Sequence, residues 1–292
     1  MENKYFKYKN KYLNLKKYLK INQLGGLITR NEIFENKEFL NLELPVNYKC
    51  ETFKYSESDK SMYVLKIELN KEDKPVLFGL AGFSNKSFNG TLKIILGKLK
   101  ELQTKFSALY FFEYDGFKNM QNDACKERDE ILKKNNDDAI YKPEFDLNDK
   151  IADYINDIIT NELCLTNVHL LGKCNGGWIV TLLLIKSDIY KGLYLGVPGI
   201  PQSTNYGINI LLNSHRNLNN INFVFGWRSD DAYEFKWGIS NKEKDYYDKI
   251  ICENKPELKY ISYMEDNGNK PDSKNNHEIT SSFIDEILKS II

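Results

Sequence analysis

Arginine is almost missing from this 292-residue chain: Arg30, Arg128, Arg216 and Arg228 are the only examples. Lysine supplies the rest of the 41 basic residues, and 41 acidic residues balance them to a formal net charge of zero. That balance excludes a protein that coats nucleic acid through global basicity. Histidine is scarcer still, with only His169, His215 and His277, and no two of them sit at helical spacing. A histidine-built metal site is therefore not expected. Five cysteines (Cys50, Cys125, Cys164, Cys174 and Cys252) lack C-x-x-C spacing, which excludes a zinc ribbon, thioredoxin chemistry and a disulfide framework. Long apolar runs are absent too. "WIVTLLLI" at 178–185 falls far short of the roughly 20 residues needed to span a bilayer. The opening has no uncharged apolar stretch of the secretory type. Together these absences predict a soluble protein made in the cytosol.

What is present falls into two parts. In residues 1–30, Tyr5, Tyr8, Tyr12, Leu15 and Leu19 recur three and four apart, and lysines fill the other face. That spacing predicts a basic amphipathic helical arm stopped by Gly25-Gly26. Such an arm either packs on its own protein or serves as an address that docks an acidic partner or surface.

Residues 31–292 read as one domain in which strand and helix signals alternate. "YKCETFKY" (48–55) and "SMYVLKIEL" (61–69) alternate apolar with polar residues, as antiparallel edge strands do. Continuous apolar runs at 74–84, 107–116, 168–172, 190–199 and 221–227 predict buried parallel strands, and "LKYISYME" predicts the last one. Helical periodicity marks 90–106, the neighbourhood of "ACKERDEILKK", 146–163 with Asp146 as a candidate N-cap, 175–185, 241–254 and the closing segment. The fold class is α/β, a mostly parallel sheet of about eight strands with helices on both faces. The segments at 117–147 and 200–220 are expected to roof the crevice as small cap insertions.

In such a sheet, reacting groups gather at the carboxyl ends of the strands. One of these ends reads "GKCNGG" (172–177), a lone cysteine among glycines where a strand turns into a helix. A turn this tight strains its central residue. Gly172 and Gly176 relieve the crowding, Gly177 completes the elbow, and Cys174 is lifted to a helix N-terminus. There a thiolate is stabilised, and the Asn175 N–H can serve an oxyanion. A second N–H donor is expected from the loop "LAGFSNKS", at Phe83. "GWRSDDAY" supplies Asp230 and Asp231 after a later strand, with Asp230 slightly preferred because it lies nearer the strand end. "DNGNKPDSKNNHEI" supplies His277 just before the closing helix. The chain order is nucleophile, acid, histidine.

"GKCNGGW", "LAGFS", "GWRSDD" and "NNHEITSSFIDEIL" resemble the elbow, oxyanion loop, acid loop and histidine loop of the α/β-hydrolase superfamily, over roughly residues 45–292. The resemblance implies an α/β-hydrolase fold and a Cys174–His277–Asp230 (or Asp231) triad. Its elbow cysteine is similar to that of the dienelactone-hydrolase branch and of polyhydroxyalkanoate-making acyltransferases. The implied activity is hydrolysis or acyl transfer on an ester, lactone or thioester, with no metal or organic cofactor. Ala81 stands where a histidine often precedes the oxyanion-loop glycine. The competing reading is a catalytically silent fold used for binding or as a virion component. A redox-sensing thiol ranks last, because no resolving cysteine lies nearby in sequence. The opening "KYFKYKNKYLNLKKYLK…GG" resembles Lys/Tyr-rich starts of giant DNA virus proteins of the mimivirus group. That resemblance implies an address or a segment cleaved after Gly26, and residence in the host cytoplasm, the viral factory or the virion.

The remaining candidates read as ordinary. His169 lies inside a strand and is expected to be a satisfied core side chain, and His215 a solvated one. Cys50, Cys125, Cys164 and Cys252 are expected to be packing residues. Ser84, Asn85 and Lys86 are assigned no role. Expected partners are a small-molecule acyl substrate and, through the arm, a docking partner or processing protease. Neither nucleic acid nor a membrane span is expected for the main domain.

Overall fold

In a computed structural model of the chain, residues 48–55, 62–82, 85–134, 141–200, 206–229, 231, 242–265 and 277–291 are described. The N-terminal arm, Phe83, Ser84 and Asp230 lie outside them, as do residues 135–140 and 201–205 of the two expected cap segments.

The described residues form one eight-stranded sheet in the order β1-β2-β4-β3-β5-β6-β7-β8. β1 (Tyr48–Phe53) and β2 (Met62–Glu68) start the chain's path through it. β3 (Val76–Leu80) and β4 (Ala108–Glu113) follow, then β5 (Val168–Cys174), β6 (Tyr190–Pro198), β7 (Asn222–Arg228) and β8 (Tyr260–Glu265). β2 pairs antiparallel with both β1 and β4, and every other pairing is parallel. The sequence reason is visible strand by strand. All six residues of β4 are buried, so it can be apolar throughout, whereas β1 at the edge mixes burial with exposure.

Helices cover both faces. On one side, α1 (Asn85–Leu96), α2 (Leu99–Leu102) and α8 (Ser281–Ser290) share a core of Phe88, Leu92, Ile95, Leu102, Phe283, Ile284 and Ile287 with inward strand residues such as Leu77 and Leu171. The other side carries α3 (Lys118–Lys134), α4 (Lys142–Asp157), α5 (Asn175–Leu184), α6 (Asn209–Leu212) and α7 (Lys242–Asn254). Ala124, Ile151, Ile155, Ile179, Leu183, Leu211 and Tyr247 join that core. The described parts of the expected cap segments thus contribute helices to this layer.

Two boundaries differ from the sequence expectation. α1 begins five residues early, at Asn85, because the loop after β3 is short and the helix starts almost at once. Asp146 does not cap a helix. α4 starts at Lys142 with Pro143 in its first turn, where a missing N–H costs nothing, and Asp146 pairs with Lys142 one turn back.

Candidate active site

The turn from β5 into α5 centres on Cys174, whose backbone is left-handed at φ 53°, ψ −130°. A side-chain-bearing residue held there stores on the order of 1–3 kcal/mol of strain, so the surroundings must over-determine it. They do. A Cβ added to Gly172 would sit 2.4 Å from Val180 Cγ2, and one on Gly176 would sit 2.3 Å from the Ala81 carbonyl oxygen. Only glycine fits at either place, so β5, α5 and the loop after β3 close on one another. From the far side, Gly199 N–H donates to the Cys174 carbonyl at 2.9 Å, just beyond Val197, itself at φ 41°. The turn is braced by the end of β6.

His277 lies beside this turn because α8 holds it there. Thr280 caps α8, its Oγ1 accepting the Phe283 N–H at 3.2 Å, and Phe283, Ile284 and Ile287 anchor the helix on the sheet. Three residues before the cap, His277 Nδ1–H donates to Asp231 Oδ2 at 2.7 Å. Asp231 is 2 % exposed and lies three residues beyond the end of β7 at Arg228. Asp231 is thus in contact with the imidazole; Asp230, slightly preferred on the sequence, lies outside the described residues. The remaining ring nitrogen, Nε2, is buried, and His277 and Cys174 act on each other's ionisation.

Electrostatics bind the pair further. Burial pushes the Cys174 thiol up. The His277 ring, by its charge and its hydrogen bond, outweighs that with help from the Lys173 ammonium and the Asn175 N–H, and the thiol ends below its usual value. Burial would lower His277, but the Cys174 sulfur and the Asp231 carboxylate raise it to about 9. Each of the two groups thus favours the charged form of the other.

Around this centre the loops are fixed by polar contacts that sequence reading did not anticipate. Tyr114 O–H donates to the Ala81 carbonyl at 2.5 Å and anchors the loop after β3. The side chains of Asn148 and Asn175 donate to each other at 3.0 and 3.1 Å, tying α4 to the start of α5. Lys173, 2 % exposed, donates to Ser87 Oγ at 2.9 Å and to Glu278 Oε1 at 2.8 Å. Its neighbours in sequence, Gly172 and Cys174, carry no sign of these contacts. Phe83 lies outside the described residues, and the Asn175 N–H acts on the Cys174 sulfur.

The other candidates are scattered. His169 is buried against Tyr194 O–H at 2.5 Å, as expected of a core histidine, and His215 is exposed. Cys164 and Cys252 are exposed, which corrects the expectation that they pack. Cys164, at φ 54°, follows the π-helical turn Ile158–Glu162 that continues α4, and Cys252 lies exposed on α7. Among the described residues there is no cluster of three or more His, Cys, Asp or Glu suited to a metal, and no helix is long and apolar enough to cross a membrane.

No family model matches the chain, and no curated protein matches it in sequence. Solved structures do match in fold. One is a protein described as a "predicted CIB-like hydrolase" from Thermoplasma acidophilum, at 11% identity and TM-score 0.50, covering 83% of this chain and 96% of its own. A sugar hydrolase from Lactococcus lactis aligns at 13% identity and TM-score 0.49, over 83% of this chain and 96% of its own. A dienelactone hydrolase-like promiscuous phosphotriesterase from metagenomic libraries aligns at 12% identity and TM-score 0.44, over 76% and 82%. The eight-stranded, mostly parallel sheet with its two helical layers is the α/β-hydrolase fold.

Proposed function

We propose that the protein is a hydrolase or acyltransferase that acts on an ester, lactone or thioester through a Cys174–His277–Asp231 triad. The observation that carries this reading is the strained Cys174 turn facing a histidine hydrogen-bonded to a buried aspartate. The Cys174 thiolate attacks the substrate's carbonyl carbon, forming a C–S bond and moving the carbonyl π electrons onto oxygen. The Asn175 N–H, with the Phe83 N–H as its expected partner, stabilises that oxyanion by about 3 kcal/mol per donor. As the oxyanion collapses, the bond to the leaving alkoxide or thiolate breaks, and the His277 imidazolium supplies its proton. Water, or another hydroxyl, amine or thiol, then attacks the acyl-enzyme thioester and gives its proton to His277. The Cys174 thiolate departs with the acyl group released. Asp231 holds the imidazole so that its other nitrogen faces the sulfur.

The test is labelling with limiting iodoacetamide, mapped by peptide mass spectrometry, on the parent and His277→Ala. The expected result is preferential labelling of Cys174 in the parent at pH 6–7 and at least a ten-fold slower rate in the variant. Equal rates would count against a coupled pair. A panel of aryl esters and acyl thioesters then reads turnover, with acyl-Cys174 trapped by acid quench. A chain with a low thiol midpoint but no acyl adduct on any of them would favour a binding role.

A further inference from the structure

Lys173 takes no part in the chemistry above, yet it is among the most enclosed charged side chains described. Its side chain is 3 % exposed, on the sheet face covered by α1 and α8. A buried ammonium is strongly unfavourable unless it is paired and hydrogen-bonded, and even a good buried pair rarely outperforms an apolar core in stability. Here one partner comes from α1 and the other from the histidine loop. Ser87 Oγ on α1 accepts from Lys173 Nζ at 2.9 Å and from the Gly82 N–H at 3.0 Å. Gly82 in turn lies so close to the elbow that a Cβ there would be 3.4 Å from Cys174 Sγ. Glu278, adjacent to His277, accepts from Lys173 through Oε1 at 2.8 Å and from Thr91 Oγ1 through Oε2 at 3.3 Å. A Cβ on Gly90 would sit 2.9 Å from Glu278 Oε1, so α1 is shaped to admit that carboxylate. Arg228, at the end of β7, reaches the Glu278 carbonyl at 3.5 Å.

We propose that Lys173, seated between Ser87 and Glu278, is a positioning residue for the Cys174 nucleophile. Its ammonium locks the elbow, the glycine loop after β3 and the histidine loop into one register. It also holds a fixed positive charge at the elbow that Glu278 moderates. This rests on the reading of Cys174 as the nucleophile. The ionisable groups that share the neighbourhood are His277 with Asp231, Glu278 and Arg228, and the Asn175 N–H points at the sulfur from α5. Nearby charge is the quantity that separates this role from mere packing. Removing the ammonium and removing its carboxylate partner must move the thiol in opposite directions, whereas loosening a packed core would move both the same way.

The experiment measures the iodoacetamide rate of Cys174 against pH in the full chain, for the parent, Lys173→Met and Glu278→Gln, with circular dichroism melts on each. Lys173→Met is expected to raise the midpoint by about one pH unit and to slow labelling roughly ten-fold at neutral pH. Glu278→Gln is expected to lower the midpoint, because the ammonium then acts on the sulfur without its counter-charge. Shifts of the same sign in both variants, or no shift in either, overturn the proposal. Should Lys173→Met fail to fold, Glu278→Gln decides alone: a lowered midpoint supports the proposal, and an unchanged or raised one overturns it. The two readings fail separately. An ordinary midpoint in the parent, independent of His277, removes the nucleophile reading itself. A lowered parent midpoint with unresponsive variants removes only the role of Lys173.

Discussion

At the residue scale, single atoms carry the chemistry. The His277–Asp231 contact is 2.7 Å, and Asp231 is almost wholly enclosed, so an amide in its place offers the wrong tautomer to the imidazole. Asp231→Asn is predicted to reduce acyl transfer by about 10²-fold or more in a steady-state assay, and Asp230→Asn to change it little. Equal effects from the two would undo the choice between them. A second prediction concerns a histidine with no place in the site. His169 is buried beside Tyr194, and burial lowers it to about 4 from its ordinary 6.5. Its folded value lies below the unfolded one, so its contribution is full above pH 6.5 and is lost as pH falls toward 4. The whole window is worth about 3 kcal/mol at most. Urea midpoints should therefore drop more between pH 7 and pH 5 in the parent than in His169→Gln, which keeps a partner for Tyr194 but has nothing to titrate.

Elements set where those atoms stand. α5 can begin directly after Cys174 only because Gly176 lets the Ala81 carbonyl approach, at a point where a methyl would meet backbone. Gly176→Ala is predicted to separate the turn from the loop after β3. The thermal midpoint should fall, and the selectivity of Cys174 for limiting iodoacetamide should vanish. Retained selectivity in a folded variant would mean that the turn tolerates the shift. α8 carries the other half of the site, and its cap is a single hydroxyl. Thr280→Ala is predicted to cost about 1 kcal/mol in denaturant unfolding, as lost N-caps do. Because His277 lies only three residues earlier, the same variant should also lower turnover more than that loss of stability alone explains.

On the scale of the whole molecule, the fold is predicted to invert the usual link between exposure and thiol reactivity. Cys164 and Cys252 are exposed, while Cys50, half-buried on β1, is pushed up to about 12 by burial and by the Glu51 and Glu113 carboxylates. Cys174 is also half-buried, yet it is the one brought below its ordinary value. Limiting reagent at pH 6–7 should therefore mark Cys174 ahead of the two exposed thiols, with Cys50 last, as read from peptide mass maps. In 6 M guanidinium chloride that order should disappear, because it belongs to the folded arrangement.

Much of this was legible before any coordinates. Apolar runs at 74–84, 107–116 and 190–199, short and bounded by turn residues, read as buried parallel strands, because such a strand has neither face in solvent. "GKCNGG" had to be a tight turn, because glycines are what such a turn requires. The order of Cys174, the aspartate pair and His277 followed from the same residues. Other features depend on groups distant in sequence meeting in space. Asp231 touches His277 across 46 positions, and Lys173 meets Glu278 across 105 and Ser87 across 86. Nothing local marks Lys173 as buried, because a lysine's exposure is set by what the fold lays over it. Local patterns determined the strands, the turn and the set of candidate groups, since those depend on a few neighbouring residues. Which groups touch, and which charges lose their water, was decided only when parallel pairing brought the carboxyl ends of β3, β5, β6 and β7 together.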